Sequence, residues 1–444
     1  MRSNFLIKPA SRLKAAISLP GDKSIAQRAV ILSAISSRKI TIKNFPDNND
    51  CHDAVRVFKK LGVSIKKGKG SVIIKGAGLH GLKRPKTDIF TGESGTVFRL
   101  LTGLFCGQRF NVRLRAGDSL QKRPMLRVTA PLRLMGAKIR GRQNTRHGIR
   151  EEYPPVAIEG ARLKPVIYKI PVASAQVKSA ILLAALYAKG RTVLIEPVKT
   201  RDHTERMLKL FKAGIKIMGN RISVEGKKPL IAPKELFVPG DISSASFFIA
   251  LAAMIPHSRL VIKDVGLNPS RMGMVRVLKR MGADIIIRYR VSGIGYREPV
   301  GEIVVKSSAL EGTVVRRKEI PSLIDELPVL MVAASFARGK SVFENVSELR
   351  VKETDRIASM VTNLKKMGVK ISSFKKNGLE NIIIEGRGRL IGCRLQSFGD
   401  HRTAMSMVIA GLVASGNSII DEVSCINKSF PDFLGVINDI SGNP

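Results

Sequence analysis

One pattern recurs six times along the 444-residue chain, and it restricts the fold more than any other feature. A polar turn opens an apolar, Ala/Leu-rich helix; a Gly or polar break follows, then a β-rich stretch. The instances are "PGDKSIAQRAVILSAISSRKITI", "GESGTVFRLLTGLFCGQRFNVRL", "PVASAQVKSAILLAALYAKGRTVLI", "PGDISSASFFIALAAMIPHSRLVI", "IDELPVLMVAASFARGKSVF" and "GDHRTAMSMVIAGLVASGNSII". They begin near Gly21, Gly92, Pro171, Gly240, Asp325 and Gly399, at intervals of 71, 79, 69, 85 and 74 residues. Each is followed by a helix that ends in Gly and feeds a strand: "FKKLGVSI", "LRLMGAKI", "LFKAGIKI", "LKRMGADIII", "LKKMGVKI" and, more loosely, "FLGVIND". Gly just past an apolar-periodic run is a helix stop. Periods this long exceed those of ordinary solenoids. Six α/β repeats in two sets of three predict two similar domains.

The first helix of each repeat is apolar after its opening turn, which predicts burial. Its polar residues gather at the N-terminus: Lys23, Ser24 and Arg28; Glu93, Ser94 and Arg99; Ser174, Gln176 and Lys178; Asp241 and Ser243; Asp325 and Glu326; Asp400, His401 and Arg402. Ser174, Ser243 and Asp241 suit capping, and Asp22 or Ser24 suits the first helix. Lys23, Arg28 and Arg402 do not, because a helix N-terminus carries partial positive charge. Related repeats bring such helix starts together, and converging helix N-termini bind anions. The cations there ask for an external anion.

The chain carries 76 Lys and Arg against 35 Asp and Glu, a formal charge of +41. The basic runs ("IKKGKG", "LKRPK", "VVRRKE") are short and scattered, with no basic tail. With 17 Phe, 5 Tyr and no Trp, a base-stacking platform has little to build on. Anionic small molecules fit the same sign. No apolar run approaches the length that spans a bilayer. The four cysteines, Cys51, Cys106, Cys393 and Cys425, form no CxxC and no zinc spacing with histidine, so they read as free thiols in a reducing compartment. The basic, acid-free start imitates a transit peptide but runs straight into the first motif. Its alternating "NFLIKPA" and "LKAAISL" suit edge strands.

In so basic a chain the placement of the acids is informative. Asp325 stands beside an apolar helix, where a carboxylate can serve as a base. Glu353 stands among Arg350, Lys352 and Arg356. That stretch also reads as a solvated helix start with Lys352 and Arg356 on one face, a like-charge pair that repels. "TRDHTERML" reads as a capped, amphipathic helix start. No Walker loop and no GxGxxG after a strand is present.

Taken together, the motifs resemble the 5-enolpyruvylshikimate-3-phosphate synthase family along essentially the whole chain. The matching segments are "LPGDKSIAQR", "GESGTVFRLL", "GDSLQKRPMLRV", "ASAQVKSAILLA", "TRDHTERML", "PGDISSASF", "IDELPVLMVAA", "ELRVKETDRI", "GDHRTAM" and "NKSFPDF". The resemblance implies an α/β fold of two similar domains, each of three β/α repeats with helices buried inside sheets, an inside-out α/β barrel. The active site would lie in the interdomain cleft, and the domains would close on binding. One domain would be discontinuous, residues 1–20 plus 239–444, and the other would span 21–238.

The implied reaction moves the enolpyruvyl group of phosphoenolpyruvate to the 5-hydroxyl of shikimate 3-phosphate and releases phosphate, a step of aromatic amino acid biosynthesis. By the same likeness Lys23, Ser24, Arg28, Ser174, Ala175, Gln176, Arg201, Asp325 and Lys352 bind shikimate 3-phosphate. Lys23, Gly95, Arg127, Arg356, Arg402 and Lys428 bind phosphoenolpyruvate. Asp325 takes the proton of the attacking hydroxyl, and Glu353 delivers one to the methylene carbon with help from Lys23. Two departures stand out. Ala26 and Gln27 replace the usual Ser and His, at positions a helical reading turns away from the ligands. Glu93 replaces the usual Asn two residues before Gly95, where an acid repels phosphoenolpyruvate unless it pairs with a nearby Arg. Gly95, in place of a bulkier Ala, leaves room for glyphosate.

The resemblance implies a cytoplasmic monomer with no metal, no cofactor, no membrane and no obligate nucleic-acid partner. Two alternative readings exist. The sister enolpyruvyl transferase acting on UDP-N-acetylglucosamine has Asn after the first Lys and a catalytic Cys on a mobile loop; here Ser24 follows Lys23, and Cys106 lies in an apolar helix. A basic nucleic-acid-binding protein would account for the charge alone.

Overall fold

The computed structural model describes residues 4–146, 149–290 and 298–441. Among them are twelve α-helices and six sheets, a mixed α/β fold. Five sheets have four strands and follow one scheme, an edge strand parallel to its neighbour and then two antiparallel pairings. Ile89–Phe90, for example, runs parallel to Val112–Arg115. That strand pairs antiparallel with Ile149–Glu159, which pairs with Lys138–Arg146. Parallel neighbours need a crossover, and the helix Gly95–Cys106 supplies it. The helices Ala175–Ala185, Leu327–Phe336 and His401–Leu412 do the same for their own parallel pairs.

In two sheets the parallel edge strand is recruited from elsewhere in the chain. Glu235–Phe237 lies beside Lys39–Lys43, and Lys14–Ser18 lies beside Arg259–Gly266. The sixth sheet has three strands, with Phe5–Ile7 antiparallel to Ser418–Ile420. Both N-terminal stretches that alternate in sequence are therefore edge strands.

The described residues fall into two compact units. One holds the chain up to Pro20 and from Pro239 onward; the other holds Gly21–Val238, with Glu298 grouped to it. Each has its own apolar core. The crossover helices are buried on all sides: Lys23–Ala34 from Ile25 onward, and Ile242–Met254 nearly throughout. Small residues allow this packing. A Cβ on Gly103 would lie 2.0 Å from the Ala180 carbonyl oxygen, so these two helices touch backbone to backbone.

The second helix of each repeat is amphipathic. Asn49–Lys60 buries Cys51, Ala54, Val55, Val57 and Phe58 and ends on exposed Lys59 and Lys60. Lys279 and Arg280, and Lys365 and Lys366, close two others. Cations favour helix C-termini, so the repeat itself multiplies part of the basic excess.

Gly62, Gly136, Gly282 and Gly368 end these helices with φ between 82° and 96°, as the motif predicts. Two instances differ. In "LFKAGIKI" the left-handed residue is Lys212, at φ 58°, and Gly214 opens the strand Gly214–Met218. In "FLGVIND" Gly435 sits inside the helix Phe433–Ser441. The sixth repeat ends on that helix because Phe5–Ile7 already fills the antiparallel place in its sheet.

Candidate functional site

In the 21–238 unit three buried helices start side by side. Gln27 Nε2 donates to Ser94 Oγ (2.8 Å), tying the first helix to the cap of Gly95–Cys106. Arg99 Nη1 donates to Gln176 Oε1 (2.5 Å), and Gln176 Nε2 to Thr96 Oγ1 (3.0 Å). Arg28 closes the triangle, donating to Ser179 Oγ at 3.2 Å, Thr204 Oγ1 at 2.7 Å and its own helix at the Ser24 carbonyl. Asp22 and Ser174 cap their helices as expected, Asp22 rather than Ser24 for the first. Gln27, turned away from any ligand in the helical reading, is thus buried in this network.

Lys23 does not wait for an external anion alone. Its Nζ lies 3.0 Å from Asp50 Oδ2. Glu93, expected to need an arginine, is taken up by backbone amides: Leu120 N donates to Oε2 at 2.9 Å and Ser119 N to Oε1 at 3.3 Å. Arg201 follows Thr200, whose amide and hydroxyl both donate to the Glu196 carboxylate. Glu196 shares the fully buried Lys178 with Glu205, at 3.0 and 2.7 Å. A buried ion triad therefore anchors the turn that carries Arg201. Burial pushes the Glu205 carboxyl above its ordinary value, against the pull of Lys178.

Sequence reasoning missed Arg123. It is buried, and a Cβ built on Gly95 would stand 3.0 Å from its Nη1 and equally close to Arg99 Nη1. Arg127 lies one turn further on, in the helix Leu126–Leu134. The signal that could have found Arg123 is its place in "SLQKRPM", at the end of the turn that follows "GD".

In the other unit the acids and cations meet around Arg356. Asp355 caps the helix Arg356–Lys366, and Lys352 is extended and outside it. The helix-face pairing of Lys352 with Arg356 therefore does not form, because the helix starts only after Asp355; Lys352 instead lies 3.8 Å from Glu348. Arg356 is buried. Its Nε donates to Asp400 Oδ2 (2.9 Å) and its Nη2 to Glu353 Oε2 (2.5 Å), while its Nη1 lies 3.7 Å from Asp325 Oδ1. That Nη1 is buried with no hydrogen-bond acceptor among the described residues.

Arg402 Nη1 donates to the Asp325 carbonyl (3.0 Å) and lies 3.8 Å from Glu326. Ser243 donates to Glu326 rather than capping; Asp241 is the cap. These contacts bring the starts of Ile242–Met254, Leu327–Phe336 and His401–Leu412 together in this unit too. Lys428 ends the short turn Ser424–Lys428, half-buried and without an ion-pair partner among the described residues. No group of three metal-ligating side chains occurs there either.

The family model for EPSP synthase (3-phosphoshikimate 1-carboxyvinyltransferase) matches residues 7–437. The chain belongs to the EPSP synthase family. It is 43% identical to the 3-phosphoshikimate 1-carboxyvinyltransferase of Desulforamulus reducens and 45% identical to that of Thermodesulfovibrio yellowstonii, each alignment covering 98% of this chain and 99% of the relative. The structure of EPSP synthase from Acinetobacter baumannii superposes with a TM-score of 0.84 at 41% identity, over 98% of each chain. A thiol mechanism of the sister family finds no support in the cysteines: Cys106 is buried in its helix, and burial pushes its thiol to about 12.

Proposed function

We propose that the chain transfers the enolpyruvyl group of phosphoenolpyruvate to the 5-hydroxyl of shikimate 3-phosphate, releasing phosphate. The observation that carries the site assignment is the buried Arg356, whose Nη1 has no hydrogen-bond acceptor among the described residues, while Asp325 and Glu353 flank its guanidinium and Arg402 bonds the Asp325 carbonyl. An unpaired buried donor is costly, and a substrate carboxylate or phosphate relieves it.

In this reading the 21–238 unit holds shikimate 3-phosphate through Lys23, Ser24, Arg28, Ser174, Ala175, Gln176 and Arg201, with Lys352 from the other. Arg356, Arg402 and Lys428 hold phosphoenolpyruvate, together with Lys23, Gly95 and Arg127; Arg123 joins them because it flanks Gly95. Asp325 takes the proton of the 5-hydroxyl as the oxygen attacks. Glu353, with Lys23 assisting, protonates the methylene carbon as the oxygen adds, which gives a tetrahedral adduct. A proton then returns from the new methyl group to Glu353 as the C–O bond to phosphate breaks and the double bond re-forms. Fixed guanidinium and ammonium groups stabilise the phosphate as it departs. The inside-out arrangement of each unit, a substrate cleft between the two, and a cytoplasmic, monomeric enzyme without metal or cofactor are parts of the same proposal. No helix among the described residues is long and apolar enough to cross a membrane.

The test is phosphate release with both substrates present and with either withheld. Release that needs both supports the proposal. Salt-dependent retention on DNA without such turnover overturns it.

A further inference from the structure

The acid at position 93 is the feature least expected beside a phosphate site, and the structure gives it a use. We propose that Glu93 is a positioning residue that fixes the turn 117–123 and, through it, seats the Arg123 guanidinium against the start of the helix Gly95–Cys106. The proposal rests on the reading that Gly95 and Arg123 line the phosphoenolpyruvate subsite.

Three observations carry it. Both Glu93 oxygens accept from consecutive amides, Ser119 N and Leu120 N, at the opening of the short turn Leu120–Lys122. Amides at such an opening have no acceptor within the turn, and an ionised one makes a strong bond. Next, the fit is built around the carboxylate. A Cβ on Gly117 would lie 2.3 Å from Glu93 Oε1, so only glycine leaves that oxygen its place. The backbone reinforces the contact, since Gly117 N donates to the Gly92 carbonyl at 2.8 Å. Last, the held turn ends at Arg123, whose amide donates to the Leu120 carbonyl at 3.0 Å. Its buried guanidinium then reaches the open side of Gly95, beside Arg99. Both guanidinium groups flank the same glycine, and the turn that carries Arg123 sets the point from which its side chain reaches there. A carboxylate that would deter the substrate as a free charge is thereby engaged in holding the cation that attracts it.

The test uses the full chain with Glu93→Ala and Glu93→Gln, and Arg123→Lys as the control on the subsite itself. Steady-state constants are measured for each substrate, with Tm recorded for every variant. Glu93→Ala raises the KM for phosphoenolpyruvate about tenfold, the scale of one lost charge-assisted hydrogen bond. The KM for shikimate 3-phosphate and kcat stay within about threefold. Glu93→Gln, which keeps one acceptor oxygen, falls between wild type and Glu93→Ala, and it carries the test alone if the alanine variant does not fold. A lowered Tm with unchanged KM for phosphoenolpyruvate makes Glu93 structural only and overturns the proposal. So does a lowered KM, which marks Glu93 as a repelling charge. If Arg123→Lys leaves that KM unchanged, the subsite reading fails instead. If Arg123→Lys raises it and neither Glu93 variant does, Glu93 alone is misassigned.

Discussion

Arg356 Nε donates to Asp400 Oδ2 at 2.9 Å, and both side chains are buried. Burial pushes the Asp400 carboxyl up, but the guanidinium outweighs it and holds the group below its ordinary value. A depressed folded-state pKa adds stability that is complete above the unfolded carboxylate value and is lost as pH falls through the folded one. The wild type should therefore lose stability below about pH 4, while Asp400→Asn shows a flatter acid limb. Removing one partner of a buried pair is costly, so Arg356→Met should cost about 3–5 kcal/mol in urea unfolding. Equal acid limbs for wild type and Asp400→Asn would remove this pair from the account.

Lys178 predicts an asymmetry. It pairs with both Glu196 and Glu205, and all three are buried. Lys178→Met should destabilise by about 3–5 kcal/mol, because two carboxylates remain. Glu205→Gln should cost much less. Burial raises the Glu205 pKa, so ionising it in the fold is unfavourable, and stability declines as pH rises from the ordinary carboxylate range through the raised value. The glutamine variant lacks that decline. Equal losses in Tm for the two substitutions would contradict this ranking.

Gly95 gives a prediction about inhibition. A Cβ there meets the ends of two flexible arginines at 3.0 Å, so each must yield by a few tenths of an ångström. Gly95→Ala should fold normally, raise the KM for phosphoenolpyruvate and weaken glyphosate. The wild type, with Glu93 engaged by amides, should be sensitive. A millimolar inhibition constant for the wild type with normal substrate affinity would refute this.

Gly103 predicts a purely structural effect. Its missing Cβ would meet backbone of Ala180 at 2.0 Å. Gly103→Ala should destabilise by about 1–3 kcal/mol or more through overpacking. Substrate constants of the surviving folded enzyme should hardly move; a selective loss of affinity for one substrate would argue otherwise.

These cases show what was legible in the sequence. The buried helices were legible because Ala/Leu-rich runs such as Phe247–Met254 have no polar face, and four of the glycine stops because a left-handed residue, which glycine adopts most easily, closes the amphipathic helix in those repeats. Lys212 escaped because a non-glycine residue took the left-handed place. The cations at the helix starts were legible as an anomaly, but their internal partners were not. Asp50 lies 27 residues from Lys23, and Asp400 lies 44 from Arg356, distances that only tertiary packing closes. Glu93 was legible as an oddity; its acceptor role depends on the room left by Gly117, which no local pattern announces.

The most direct test of the central claim is phosphate release from shikimate 3-phosphate plus phosphoenolpyruvate by wild type, Asp325→Asn and Lys23→Met. The site assignment predicts robust release by the wild type and a fall of roughly 100- to 10,000-fold in kcat for Asp325→Asn, the usual reach of a general base. Lys23→Met should fall comparably, with Tm near wild type for both. Wild-type turnover in either variant would contradict the assignment.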